Sequence, residues 1–118
     1  MGRALTERER DVLRFMVDNA QPFADDPPVS AVARGLWRDA IPVTQATDYC
    51  GCGLCPSIEL ADEAGRTPIG EHDVVLNASH PKGYLLLFID HNRLSYLDFA
   101  PWDDERFEQF PAVVELKI

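Results

Sequence analysis

Three cysteines lie within six residues, Cys50-Gly51-Cys52-Gly53-Leu54-Cys55. Thiolates at C-x-C-x2-C spacing can supply three corners of a tetrahedral zinc site, and the intervening glycines let backbone N–H groups turn toward the sulfurs. A fourth ligand would have to come from elsewhere in the chain. His80, at a strand end, suits that role best, ahead of His72 and His91. Zinc is therefore the one cofactor the sequence suggests, with Cys50, Cys52, Cys55 and His80 as its ligands. Paired C-x2-C arms mark a strong zinc signature, and here there is one arm.

Redox chemistry is a second use for the pair Cys52 and Cys55. It lacks the strand-loop-helix setting in which a helix N-terminus lowers a thiol pKa, because Pro56 leads into a strand. An odd number of cysteines also fits a reducing compartment, where none is oxidised. A third reading is packing alone, with small side chains tucked under a tight glycine-rich hairpin.

A second constellation is Pro101-Trp102-Asp103-Asp104-Glu105-Arg106-Phe107-Glu108-Gln109-Phe110, which joins three aromatics to four carboxylates. Trp102, Phe107 and Phe110 can close one end of a core. Alternatively Trp102, Asp103, Asp104 and Glu105 form a partner-binding surface, where the aromatic ring gives contact area and the carboxylates steer a basic partner. Other chemistry is missing its parts. There is no phosphate-cradling glycine loop and no nucleophile elbow. Asp90-His91-Asn92-Arg93 reads as a polar β-turn rather than an acid–base pair.

The whole chain bounds these choices. Its 118 residues suit one domain, residues 1–118, and 46% hydrophobic residues suit an ordinary globular core. Twenty acidic residues against eleven basic give a net charge of −9. That balance opposes binding to nucleic acid phosphates and favours encounter with basic protein surfaces. No apolar run is long enough to cross a bilayer. Charged residues follow Met1 almost at once, so no secretion signal is visible and the cytoplasm is the expected location.

The elements that would position these residues change character at Pro42. Thr6 followed by Glu9 has the form of a capping box. Beyond it Val12, Leu13, Phe15, Met16 and Ala20 share an arc of a helical wheel, predicting a helix over 5–20. Asp26-Pro27-Pro28 offers a carboxylate cap with proline at the first helical position. Val29, Val32, Ala33, Leu36, Trp37 and Ala40 then predict a second helix over 28–41, with Leu36 and Trp37 packed on the sheet. After Pro42 the period shortens to two. Strands are expected at 43–50, 57–61, 74–79, 84–89 and 94–100, with a short one at 113–118. Helices first and hairpin-linked strands afterwards predict an α+β fold: two N-terminal helices packed on one face of a four- to five-stranded antiparallel meander.

Two likenesses add to this. Leu5-Thr6-Glu7-Arg8-Glu9-Arg10-Asp11-Val12-Leu13 is similar to the first helix of the helix-turn-helix domain of response regulators, but no turn and recognition helix follow. At Cys50-Gly51-Cys52-Gly53-Leu54-Cys55-Pro56-Ser57-Ile58 and Leu94-Ser95-Tyr96-Leu97-Asp98-Phe99 the chain resembles a group of small actinobacterial proteins of uncharacterised activity. That resemblance covers residues 43–110 and implies an intracellular domain. In outline, a small acidic α+β chain is similar to immunity proteins that neutralise toxins. The function expected from all this is a non-enzymatic protein-binding domain, of immunity type, whose acidic surface occupies a basic toxin. The alternative is a zinc-binding or thiol-dependent accessory protein.

Overall fold

The computed structural model describes residues 2–24, 26–49, 56–68, 74–102, 107 and 109–118. Within them the chain runs β1 (Arg3–Ala4), α1 (Glu7–Asn19), β2 (Gln21–Pro22), α2 (Ala31–Ala40), β3 (Gln45–Tyr49), β4 (Ile58–Ala61), β5 (Val74–His80), β6 (Gly83–Asp90) and β7 (Arg93–Pro101). The strands form one antiparallel sheet in the order β1-β3-β4-β7-β6-β5-β2. The α+β class with two helices is as expected, and the sheet is larger than expected. Strands β5, β6 and β7 do form a meander, but β4 adds on the far side of β7. The two-residue strands β1 and β2 flank α1 and close the two opposite edges. Strands that short show no alternation, so a period-two pattern cannot reveal them.

The capping box forms. Thr6 Oγ1 accepts the Glu9 N–H at 3.1 Å, and Glu9 Oε1 accepts the Thr6 N–H at 2.8 Å. Val12, Leu13, Met16 and Val17 are fully buried on the inner face of α1. The helix stops at Asn19 because Pro22 keeps the preceding residue extended, and the chain enters β2.

Glu9 does more than cap. Burial disfavours its charged form, but two bonds from the Arg3 guanidinium (2.8 and 2.9 Å) and the Thr6 N–H outweigh that cost. Its carboxyl is held below the ordinary value of 4.5. A carboxylate whose folded pKa is depressed contributes stability above its unfolded pKa and loses it as pH falls through the folded one. Glu9→Gln should therefore cost stability at neutral pH. The gap to the parent, followed by urea denaturation, should close as pH is lowered from about 6 to about 3. A gap independent of pH would show that Glu9 acts through its shape alone.

Helix α2 begins later than the sequence suggests. Asp26 is not its cap; Ser30 is, with Oγ accepting the Ala33 N–H at 3.1 Å. Pro28 restricts Pro27 to extended backbone, so the helix cannot start until the proline pair has passed. Trp37 is the one residue of α2 that is fully buried. Leu36, expected to pack on the sheet, is 54% exposed, and Val32 is 75% exposed. The apolar stripe is wider than the contact it makes. A 3-10 turn, Ile41–Val43, carries the chain from α2 into β3.

The inner face of the sheet bears Leu76, Leu85, Leu87, Ile89, Leu97 and Phe99, all at 0% exposure, and both helices share this core. Side chains of this kind contribute about 1.5–3 kcal/mol each when fully buried. In β7 the register slips, since Phe88 pairs with Tyr96 whereas Ile89 pairs with Leu94. Ser95 is the extra residue, and this bulge returns Leu94 to the core side with Leu97 and Phe99. A regular alternation along residues 94–100 would set Leu94 on one face with Tyr96 and Asp98, and the bulge breaks it. His91 and Asn92 join β6 to β7 with φ of 51° and 60°, the left-handed pair of a two-residue hairpin turn. Residues 113–118, expected as a strand, instead form a 3-10 turn at Val113–Glu115 and a single bridge from Lys117 to Ser79. Leu116 is buried and Val113 packs on the core, while Val114 is 93% exposed, so the segment is held by its apolar side chains and one bridge rather than by a strand ladder. Among the described residues no helix is long and apolar enough to cross a membrane.

Candidate protein-binding surface

Of the residues singled out for chemistry, Cys50, Cys52, Cys55, Asp103, Asp104 and Glu105 lie outside the described residues, as does His72. His80 and Trp102 lie within them. Among the described residues no group of three or more His, Cys, Asp or Glu side chains is placed to hold a metal ion.

His80 closes β5 on the core side and is 8% exposed. Its Nδ1 accepts the Lys82 N–H at 3.0 Å, which secures the turn into β6. Its ring meets Phe99 edge-on at 5.7 Å. Nε2 is buried without a hydrogen-bond partner and faces Glu115 Oε2 at 3.6 Å. Strands β6 and β7 separate β5 from β4, the strand that follows the cysteine run. At about 4.8 Å per strand, that is about 14 Å across the sheet.

The aromatic segment after β7 splits in two. Phe110 is 1% exposed, and Phe107 packs on the core, edge-on to Phe99 at 4.8 Å. Trp102 does the opposite and stands 56% exposed. Its backbone N–H donates to the Lys82 carbonyl at 2.9 Å. That bond sets its ring against Tyr84, 5.1 Å between centroids at 75°. The pair marks one end of the sheet face that neither helix covers.

Other outward side chains continue this surface. Phe88 and Tyr96 sit opposite each other across β6 and β7 with ring centroids 6.0 Å apart. Leu86 lies between Tyr84 and Phe88 along β6 and pairs with Asp98. Asp98 accepts the hydroxyl of the fully buried Ser57, whose oxygen accepts the Phe99 N–H at 3.0 Å. Ser57 so extends the ladder between β4 and β7 beyond the end of β4 and holds the Asp98 carboxylate in place. Glu59, opposite Tyr96, is a second outward carboxylate. Across β4, β6 and β7 the one cation is Arg93, at the far end and 3.7 Å from Asp62.

Tyr84, Phe88 and Tyr96 were not singled out from the sequence. Residues 84–89 contain no polar interruption, so they read as a strand buried on both faces. The available signal was that Tyr84, Leu86 and Phe88 alternate with Leu85, Leu87 and Ile89.

No protein-family model, no curated protein and no solved structure matches the chain.

Proposed function

We propose that this chain is a cytoplasmic, non-catalytic protein-binding domain that takes a basic protein surface, with neutralisation of a toxin as its most concrete form. The observation that carries this reading is Trp102, which stands exposed and braced on Tyr84 instead of entering the core beside Phe110. Exposed, rigidly held tryptophan and tyrosine supply contact area at little entropic cost, and such residues dominate binding energy at interfaces. Carboxylates of the neighbouring segment, Asp103, Asp104 and Glu105, together with the net charge of −9, would speed encounter with a cation-rich partner.

The test uses a partner captured from the host with this chain as bait. Trp102→Ala should weaken binding by about thirtyfold, corresponding to roughly 2 kcal/mol, mainly through faster dissociation. Neutralising Asp103, Asp104 and Glu105 together should slow association and flatten its dependence on salt, leaving folding stability nearly unchanged. Stopped-flow mixing at several ionic strengths reads both. An association rate indifferent to salt and to the triple substitution would refute electrostatic capture.

A further inference from the structure

We propose that α2 presents a second docking surface, one that receives a basic amphipathic helix from a protein partner. Val32 and Leu36 stand one helical turn apart on α2 and are 75% and 54% exposed, and Val43 just beyond is 45% exposed. They form an apolar ridge beside two clefts that share Trp37 in their lining, and Leu36 and Val43 border the smaller of these. One cleft, about 310 Å³, opens between the proline pair Pro27-Pro28, Val29 and the start of β5. The other, about 110 Å³, lies between Leu36, Val43, Pro68 and Leu94. An exposed apolar ridge bordering a groove is the relief that an incoming helix packs against, with its apolar side chains entering the groove.

Charge selects the occupant. Both cations of α2 are turned inward onto α1, with Arg34 donating to the Val17 carbonyl at 2.9 Å and Arg38 to Asp18 at 2.6 Å. The rim is left acidic at Asp26, which lines the larger cleft, and at Asp39, exposed on the helix, while in the smaller cleft Asp62 is offset by Arg93 at 3.7 Å. A second copy of this chain, itself at −9, would meet like charge here. A helix with apolar residues on one face and Lys or Arg beside them meets neither obstacle.

This surface is separate from the one proposed above. Trp37 bonds through Nε1 to Asn92, which precedes β7, while Trp102 follows the other end of that strand. The chain has two tryptophans, so each indole N–H reports one surface in a proton–nitrogen NMR spectrum. The probe is a synthetic helix of leucine and lysine about 18 residues long, roughly 27 Å, with leucines at helical spacing. Its counterpart carries glutamate in place of every lysine. The lysine helix should shift the Trp37 resonance saturably and leave that of Trp102 in place. Replacing Val32 and Leu36 together by aspartate should weaken it at least about tenfold without moving the urea midpoint, because both side chains are exposed. The proposal is overturned by an unmoved Trp37 resonance, by equal binding of the glutamate helix, or by a shift at Trp102 alone. Self-association abolished by Leu36→Asp would also overturn it, as a second copy would then own the face.

Discussion

Trp37→Ala is expected to remove about 3–5 kcal/mol of stability, while Leu36→Ala, one residue away, should change it by less than about 0.5 kcal/mol. The contrast follows from exposure, 3% against 54%. Trp37 is the anchor of α2, filling the space beside the β6–β7 turn and donating its indole N–H to Asn92 Oδ1 at 2.9 Å. Truncation would leave a large void and remove a hydrogen bond from a turn whose two residues already hold positive φ. Urea denaturation of the two variants decides the matter. Equal losses would mean that the outer stripe of α2 is also packed, and the docking ridge would fall with that result.

Phe99→Ala should be as severe, at about 3–5 kcal/mol, because the ring is wholly enclosed and has specific neighbours. It meets the edge or face of both His80 and Phe107, at 5.7 and 4.8 Å. It also lies so close over Gly83 that a Cβ there would come within 2.8 Å of the ring and 2.6 Å of the Ala100 carbonyl. One side chain therefore seats the β5–β6 turn and the segment after β7 together. Losing it should loosen both at once. Hydrogen exchange of the amides at residues 79–84 and 107–112 should quicken together in Phe99→Ala, beyond the general loss of stability. Exchange that rises uniformly across the sheet would show no special role for this ring.

How far the sequence discloses this depends on the range of the force involved. The start of α1 is legible because Thr6 and Glu9 satisfy each other's backbone within one turn. The start of α2 is not, since Asp26 and Ser30 are both competent caps and only the proline pair between them decides. The strands at residues 74–101 are legible from alternation and turn residues, but the bulge at Ser95 is not, as serine carries no mark of being the extra residue. The two-residue strands are invisible because their pairing depends on where α1 delivers the chain. At the surface, Trp102 is legible as a candidate by residue type alone. Its separation from Phe107 and Phe110 is not, because that depends on the path of the backbone after Pro101.

The placement of β1 and β2 has a further consequence for the life of the protein at high concentration. Open sheet edges template the addition of foreign strands, the first step toward fibrils. Here one continuous stretch, residues 3–22, crosses beneath the sheet as α1 and lays one end on β3 and the other on β5. Pro22 on the outer strand lacks the N–H a newcomer would need. Each guard is two residues long, so its hold depends on α1 staying docked. Peeling that helix away would bare both edges in a single event, making its detachment the gate to polymerisation.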